Sequence, residues 1–201
     1  MNEFEKSILK YVGENNFKKI QSAEIGIAGA GGLGSNCAHI LARTGFKKFT
    51  IIDFDVITYS NLNRQFYFYD EAGKIKIEVL SETLKRINPD IEITAIQKKI
   101  EPSNIKSIFK NCDIIVEALD KAEAKAFLIE NLACHGRFMV SVSGVAGFGL
   151  SDEIKTYRLN SNLVVIGDLK SDTENSPPMA PRVIIAAAKQ AETVISYVLS
   201  R

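Results

Sequence analysis

The sequence has few cysteines and no paired cysteine motif. Its three cysteines, Cys37, Cys112 and Cys134, are scattered and form no C-x-x-C pair. An odd number without paired spacing argues against a disulfide framework and against a thiolate zinc site, so we expect no zinc. We expect the cysteines to be small core residues in a cytoplasmic protein, because the reducing cytosol is the default compartment for such a chain.

The chain also lacks an excess of charge and a long apolar run. Its 25 basic and 24 acidic residues give a net charge of +1, which supplies no basic field for nucleic acid or anionic membrane. No apolar run has the length of a membrane span, and the N-terminal MNEFEKSILK has no signal-peptide pattern. We therefore expect neither nucleic acid nor membrane as a partner. With 201 residues, 46% of them hydrophobic, a single domain over residues 1–201 is predicted.

Apolar periodicity divides most of the chain into alternating strands and helices. Strands are predicted at residues 24–28, 49–53, 91–96, 113–117, 138–143, 154–159 and 163–166, and helices within 1–19 and at 33–44, 74–87, 101–110, 122–135 and 183–199. Residues 171–181 are polar and contain prolines, and we expect a loop there. The pattern predicts an α/β fold with a Rossmann-like doubly wound sheet, parallel in its N-terminal part and with an antiparallel C-terminal extension.

A glycine-rich stretch, GAGGLGS at residues 29–35, follows the first predicted strand and opens a helix. Gly29 permits a tight turn, Gly31 lets the backbone approach a phosphate, and Gly34 lets the helix pack closely on the strand. A phosphate would then lie on free N–H groups at the helix N-terminus. Asp53, at the end of the second strand, has the position of a ribose-binding carboxylate. Dehydrogenases, flavoproteins, methyltransferases and adenylating enzymes all share this fingerprint, so it indicates a nucleotide without specifying which one.

The polar segment SNLNRQ after the second strand narrows the choice. Its Asn61, Asn63, Arg64 and Gln65 offer more hydrogen-bonding groups than a nicotinamide ribose requires. The guanidinium of Arg64 has planar donors suited to phosphate oxygens, and the ammonium of Lys76 could join it on a triphosphate. The segment therefore favours a nucleoside triphosphate.

Asp120 follows the predicted strand DIIVE and the residues Ala118 and Leu119. A carboxylate there could hold Mg²⁺, which usually binds through one or two carboxylates plus substrate phosphates. A helix N-cap is the alternative role for this aspartate. Two cations, a metal carboxylate and a ribose carboxylate around a glycine loop suit cleavage at the α-phosphate of ATP, where positioning and charge neutralisation do most of the catalysis.

These motifs resemble the ThiF/MoeB/HesA family of ubiquitin-activating-enzyme-like adenylyltransferases. The resemblance is carried by GAGGLGS, by DFDVITYSNLNRQF, by the lysine of GKIKIEVL, by RINPDIEI and by the aspartate that ends VEALD. It implies adenylation of the C-terminal glycine carboxylate of a small β-grasp sulfur-carrier protein that ends in Gly-Gly. ATP is the substrate as its Mg²⁺ complex, and pyrophosphate is released. It also implies a homodimer.

The resemblance further implies roles for individual residues. By this resemblance, Gly31 and Gly32 would bind phosphate, and Asp53 would bind the ribose, with Asp55 near the ribose or the metal. The triphosphate would be contacted by Asn63, Arg64 and Lys76. Asp120 would hold the magnesium ion. The candidate catalytic residues are Arg64, Lys76 and Asp120. The candidate nucleotide-binding residues are Gly29, Gly31, Gly32, Gly34, Asp53, Asp55, Asn61, Asn63 and Gln65.

Departures from the family pattern refine these expectations. Without the two C-x-x-C pairs that hold structural zinc, the chain resembles the compact ThiF-like branch associated with thiamine-thiazole synthesis. The loop at residues 171–181 contains no cysteine, so we expect the reaction to stop at the acyl-adenylate. Lys121 stands where the family usually has asparagine. The N-terminal arginine that reaches the neighbouring subunit is also missing, and Lys10, Lys18 or Lys19 could substitute for it.

Two other functions remain open at this point. One is an oxidoreductase that uses NAD or FAD, against which the segment SNLNRQ and Lys76 count. The other is a carrier-binding protein of the same superfamily without catalysis, against which intact Arg64, Lys76 and Asp120 count.

Overall fold

A seven-stranded sheet forms the centre of the computed structural model, which describes residues 1–132 and 136–201. The strands are β1 (Glu24–Ala28), β2 (Lys48–Ile52), β3 (Glu92–Ile96), β4 (Ile114–Glu117), β5 (Phe138–Val142), β6 (Lys155–Arg158) and β7 (Leu163–Gly167). Their order is β3-β2-β1-β4-β5-β7-β6, and all neighbours are parallel except β6 with β7. The predicted doubly wound sheet with an antiparallel C-terminal extension is confirmed.

Helices cover both faces of the sheet in the described part of the chain. They are α1 (Glu3–Val12), α2 (Glu14–Ser22), α3 (Gly32–Arg43), α4 (Lys76–Ile87), α5 (Ile105–Ile108), α6 (Ala122–Leu132) and α7 (Ala180–Leu199). Helices α3, α4 and α7 enclose the larger apolar core on one face, while α5 and α6 enclose a smaller one on the other. None of these helices is both long enough and apolar enough to span a membrane.

Side-chain alternation along β1 assigns its residues to the two cores. Ile25 and Ile27 face the larger core, and Ala28 faces the smaller one. Gly26 also lies on the smaller side, where a Cβ atom would come within 2.6 Å of a ring carbon of Phe109. The missing side chain at this position therefore makes room for the ring of Phe109 next to the strand.

Two predicted helices differ from the structure. Residues 101–110 form only the short α5, because the Asn104 side chain accepts a hydrogen bond from the backbone N–H of Glu101 (2.9 Å) and donates one to the carbonyl of Lys99 (2.9 Å). These bonds favour a turn over a helix. The single helix expected within residues 1–19 is two helices, α1 and α2, which are separated at Gly13 with φ +78°.

The remaining boundaries agree with the prediction to within a few residues. Helix α7 begins at Ala180, inside the predicted loop, with Pro181 in its first turn, where a missing N–H costs nothing. The helix predicted at 122–135 is observed as far as Leu132. Cys134 and His135, at its predicted end, lie outside the described residues.

Helix α3 packs unusually close to the glycine loop. A Cβ atom on Gly34 would overlap the carbonyl oxygen of Gly29, so no side chain fits at this position without a shift of the backbone. Gly29 itself has φ +101°, a backbone conformation that side chains disfavour. The roles predicted for these two glycines, a tight turn and a close helix, are confirmed.

We expect Gly34→Ala to lower the free energy of unfolding by about 3 kcal/mol, the upper end of the usual overpacking cost. A glycine-to-alanine change in a helix without this contact would raise stability by roughly 0.5–1 kcal/mol. Urea denaturation measures the difference. Gly73→Ala is the matched control, since Gly73 has φ +88° and open space around it, so only backbone strain of about 1–2 kcal/mol is added. A Gly34→Ala protein as stable as the wild type would contradict the close approach.

Candidate functional site

The predicted site residues cluster at the carboxyl ends of β1, β2 and β4. Ala28, the last residue of β1, is in register with Ile52 of β2 and Glu117 of β4. The strand order changes direction between β1 and β4, and sheets of this kind bind their ligands at such a point.

Asp53 links the glycine loop to the chain that follows β2. One of its carboxylate oxygens accepts a hydrogen bond from the backbone N–H of Ala30 (2.6 Å), and the other accepts one from Asp55 (2.8 Å). Gly29 donates to the carbonyl of Ile52 (2.8 Å) on the same side. Because a carboxylate oxygen has two lone pairs, Asp53 keeps acceptor capacity for a ligand. Its role in ribose binding remains a prediction.

The first turn of α3 offers backbone N–H groups to a ligand. Gly31 occupies the N-cap position, and no side chain in the described residues caps this end of the helix. Free N–H groups and the helix dipole together favour an anion at such a position.

Gln65 has a buried acceptor beside this helix end. Its side-chain nitrogen lies 3.7 Å from the point where a Cβ of Gly31 would be. Its side-chain oxygen is buried and has no hydrogen-bond partner among the described residues. An unsatisfied buried acceptor costs about 1–3 kcal/mol, so a bound molecule with a hydroxyl or amino donor would relieve it. An acceptor of this kind fits a polar ligand, and a nucleotide contact from Gln65 remains a prediction.

Arg64 lies next to the start of α3. Its Cγ atom is 3.4 Å from the point that a Cβ of Gly32 would occupy, and its guanidinium donates to Asn63 (2.7 Å) and to the carbonyl of Ser60 (3.1 Å). Asn63 in turn donates to the carbonyl of Pro178, ahead of α7 (3.2 Å). The structure thus brings Arg64 and Asn63 to the edge of the glycine loop.

Asn61 has a different position in the same segment. Its side-chain oxygen accepts a hydrogen bond from the backbone of Thr58 (3.1 Å), and this contact shapes the short 3₁₀ turn at Tyr59–Asn61. Farther along, the hydroxyl of Ser35 on α3 accepts a hydrogen bond from Phe66 (3.0 Å). Asn61 therefore has a structural contact, and a nucleotide contact from it remains a prediction.

Lys76 is buried at the start of α4 and is paired with Asp55. The ammonium lies 2.8 Å from the carboxylate, with 5% of the Lys76 side chain and 48% of the Asp55 side chain exposed. The hydroxyl of Tyr67 donates to the carbonyl of Ala30 (2.8 Å) and contacts that of Lys76 (3.3 Å). Burial, with Asp53 nearby, raises the pKa of Tyr67, so its hydroxyl stays protonated and links α4 to the glycine loop.

Asp120 is exposed between β4 and α6, which begins at Ala122. No donor within residues 1–132 and 136–201 bonds to its carboxylate, so the alternative of a helix cap is not observed. In that part of the chain, no group of three or more His, Cys, Asp or Glu side chains lies close enough together to hold a metal ion. The single exposed carboxylate of Asp120 is of the kind that holds a magnesium ion together with phosphate oxygens. Metal binding by Asp120 remains a prediction.

Two buried ion pairs near the site were missed from the sequence. One joins Glu117, at the end of β4, to Lys125 of α6 (3.0 Å). The other joins Arg182, in the first turn of α7, to Asp168 after β7. A carboxylate directly after the apolar residues 114–116 was the available signal for Glu117, whereas no sequence signal indicated the partner of Arg182.

The Arg182–Asp168 pair holds the loops at the carboxyl ends of β5 and β7. Arg182 donates to the carbonyls of Gly149 (2.9 Å) and Leu150 (3.2 Å), and Leu150 has φ +48°. Asp168 accepts hydrogen bonds from the backbone N–H groups of Lys170 and Ser171 (2.8 Å each). One buried pair thereby fixes two exposed loops beside the candidate site.

The two cysteines in the described residues are unsuited to nucleophilic chemistry. Cys37 and Cys112 are buried, which confirms the expectation that they are core residues. Burial raises the pKa of the Cys112 thiol to about 11 and that of Cys37 further, so both remain protonated.

Residues 4–167 match the ThiF family, and the chain belongs to that family. It is 35% identical over 150 residues to SUMO-activating enzyme subunit 2 of Dictyostelium discoideum, covering 74% of this chain and 22% of that protein. It is 32% identical over 137 residues to the tRNA threonylcarbamoyladenosine dehydratase of Escherichia coli K12, covering 67% of this chain and 51% of that protein.

Solved structures share the fold over nearly the whole chain. The E. coli tRNA N6-threonylcarbamoyladenosine dehydratase in complex with ATP superposes with a TM-score of 0.88 at 22% identity, covering 97% of this chain and 93% of the other. Among the curated relatives, by contrast, the chain spans about half of the dehydratase and 42% of a probable molybdopterin-synthase adenylyltransferase from Gracilaria tenuistipitata.

We expect Asp168→Asn to change how stability depends on acid. Burial raises the pKa of the Asp168 carboxyl, but hydrogen bonds from Ser171, Lys170 and Arg182 outweigh it, so the pKa lies below the ordinary value. A lowered folded-state pKa stabilises the fold above the unfolded value of about 3.9, and this contribution is lost as pH falls through the folded value. The variant leaves Arg182 buried without a counter-charge, which costs roughly 3–5 kcal/mol at neutral pH.

Urea denaturation from pH 7 down to pH 2 measures this effect. The difference in unfolding free energy between wild type and Asp168→Asn should shrink below about pH 4. Asp70→Asn, at an exposed carboxylate, is the control and should follow the wild type. A difference that stays constant over the whole range would contradict the assigned ion pair.

Proposed function

We propose that this chain is an ATP-dependent adenylyltransferase. It activates the C-terminal glycine carboxylate of a small ubiquitin-like carrier protein as an acyl-adenylate and releases pyrophosphate. The observation that carries the proposal is that Arg64 and the backbone of Lys76 are both linked to the glycine loop. The Cγ atom of Arg64 packs against Gly32, and the hydroxyl of Tyr67 bonds to the backbone carbonyls of both Ala30 and Lys76.

The reaction requires little covalent chemistry from the protein. A carboxylate oxygen of the carrier attacks the α-phosphorus of ATP, the bond to the oxygen that bridges to the β-phosphate breaks, and pyrophosphate leaves with that electron pair. Arg64, Lys76 and the N-terminus of α3 neutralise the charge that develops on the phosphates. One well-placed donor of this kind contributes about 3–4 kcal/mol to transition-state stabilisation.

The remaining candidates bind and orient the nucleotide. Asp53 would accept from the ribose hydroxyls, and the unpaired oxygen of Gln65 would accept another donor of the ligand. Asp120 would hold Mg²⁺, which neutralises charge on the leaving pyrophosphate when bound.

The relatives support the ATP-dependent step. A molybdopterin-synthase adenylyltransferase from Haemophilus influenzae is 29% identical over 163 residues, which cover 81% of this chain. The E. coli dehydratase structure that shares the fold was solved with ATP. The name of the first relative and the ATP in the second structure both agree with an ATP-dependent adenylating reaction.

For the substrate, we propose a sulfur-carrier protein of the ThiS type with a Gly-Gly C-terminus, in thiamine-thiazole synthesis. The 171–181 loop contains no cysteine, and we propose that the reaction ends at the acyl-adenylate without a thioester on that loop. We also propose that the protein acts as a cytoplasmic homodimer.

A second candidate substrate is threonylcarbamoyladenosine in tRNA. It is favoured by the 32% identity over 137 residues to the tRNA threonylcarbamoyladenosine dehydratase of E. coli K12. The carboxylate of that nucleoside would take the place of the carrier's terminal glycine on the same ATP site.

We expect Arg64→Ala and Lys76→Met to lower the rate of carrier-dependent ATP–pyrophosphate exchange by about 10²- to 10³-fold, because each removes a donor to the phosphates. The rate is measured as the appearance of label in ATP when the protein is incubated with labelled pyrophosphate, ATP and a carrier that ends in Gly-Gly. Lys74→Met is the matched control, since Lys74 is exposed two positions before Lys76, and it should keep wild-type exchange.

The outcomes separate the candidate functions. Full exchange in Arg64→Ala would refute the role of that arginine. A wild-type protein that exchanges with no carrier but consumes ATP on threonylcarbamoyladenosine-containing tRNA would replace the carrier by the nucleoside. A protein that binds a carrier without either reaction would be the non-catalytic partner, and one that binds NAD or FAD instead of ATP would be an oxidoreductase.

A further inference from the structure

A carboxylate is completely buried at the carboxyl end of β4. The side chain of Glu117 is 0% exposed. Its oxygens accept hydrogen bonds from the backbone of Leu119 (2.6 Å), from the hydroxyl of Ser141 (2.6 Å) and from the ammonium of Lys125 (3.0 and 3.1 Å). An apolar residue of similar volume is often as stable as a buried ion pair or more so, which leaves the charge unexplained by stability alone.

The bonds of Glu117 fix both ends of the turn that carries Asp120. The bond to Leu119 closes the turn directly after the strand. The bond to Lys125 ties α6, which follows the turn, back to the end of β4. Ser141 adds a contact from β5, so three separate elements hold one carboxylate.

The same turn is packed against the glycine loop. The backbone N–H of Ala118 donates to the carbonyl of Ala28 (2.9 Å), and the carbonyl oxygen of Ala118 lies 2.7 Å from the point that a Cβ of Gly29 would occupy. Asp120 itself has no bonded donor in the described ranges 1–132 and 136–201. The backbone of the turn therefore sets the position and direction of the Cα–Cβ bond that carries this carboxylate.

We propose that Glu117, Lys125 and Ser141 are positioning residues that hold the turn against the glycine loop and so aim the Asp120 carboxylate at the magnesium ion and phosphates of the nucleotide. This inference rests on the proposed function. The buried Glu117 carboxylate acts through the turn and touches neither the metal nor the nucleotide. Charge-assisted hydrogen bonds are roughly twice as strong as neutral ones, which explains why a charged cluster is used to fix the turn.

The test measures ATP binding by calorimetry as a function of magnesium concentration in the full chain. Glu117→Gln keeps the shape and removes the charge, and we expect the magnesium concentration for half-maximal ATP binding to rise about tenfold or more, as for other changes behind a metal ligand. Ser141→Ala removes one bond and should give a smaller rise. At saturating magnesium both variants should recover wild-type ATP affinity, which a general loss of structure would not allow.

Two further variants are matched controls. Lys125→Arg keeps the counter-charge and should retain the wild-type magnesium dependence. Glu123→Gln makes the same charge change as Glu117→Gln on an exposed carboxylate in the first turn of α6, and it should also leave the dependence unchanged. Circular dichroism confirms that each variant is folded at the temperature of measurement. If Glu117→Gln does not fold, the magnesium dependence of ATP binding by Ser141→Ala tests the proposal instead.

The outcomes distinguish this proposal from the proposed function. Variants that bind ATP with the wild-type magnesium dependence, while the wild type catalyses exchange, overturn the positioning role alone. A shifted dependence in variants of a protein that catalyses no exchange supports the positioning role and overturns the adenylyltransferase. A wild-type chain that binds no ATP at any magnesium concentration overturns both.

Discussion

The structure depends on one steric constraint, the contact between α3 and the glycine loop. With hydrogen in place of a side chain at Gly34, the helix comes so close to the carbonyl of Gly29 that no other residue fits. This approach aims the N-terminus of α3 at the carboxyl edge of the sheet and sets the position of the segment that packs on it. The hydroxyl of Ser35 accepts a hydrogen bond from the backbone N–H of Phe66, and the side chain of Asn36 donates one to the carbonyl of Arg64 (2.9 Å). The same helix therefore also holds the polar segment after β2.

Among the described residues, three of the four ion pairs that contain a buried side chain lie at that same edge of the sheet, and the fourth, Glu5 with Lys47, lies before the start of β2. Lys76 pairs with Asp55, Glu117 with Lys125 and Asp168 with Arg182, and each pair follows a different strand or begins a helix there. Because buried ion pairs contribute little net stability, their common location is better explained by the loops they immobilise. A parallel sheet leaves its strand ends and helix starts at one edge, where irregular backbone must be held by side chains.

The sequence predicts those features of the arrangement that depend on residues close together in the chain, and it misses those that depend on contacts between distant elements. The strands are predictable because apolar residues such as Ile25 and Ile27 repeat along them, and the glycine loop because its conformations demand glycine. The helix expected at 101–110 was wrong because side-chain bonds of Asn104 compete with it. Glu117 was missed because its burial depends on Ser141 and Lys125, which lie on other elements. The candidate residues from Asp53 to Lys76 could be located because they follow one strand in unbroken order.

The Lys76–Asp55 pair limits how strongly the ammonium of Lys76 can attract an anion in the site. The ammonium already has a counterion, so a phosphate gains only the difference between its own attraction and that of Asp55. In the proposed reaction, the ammonium of Lys76 would therefore reach a phosphate only by giving up part of its contact with Asp55.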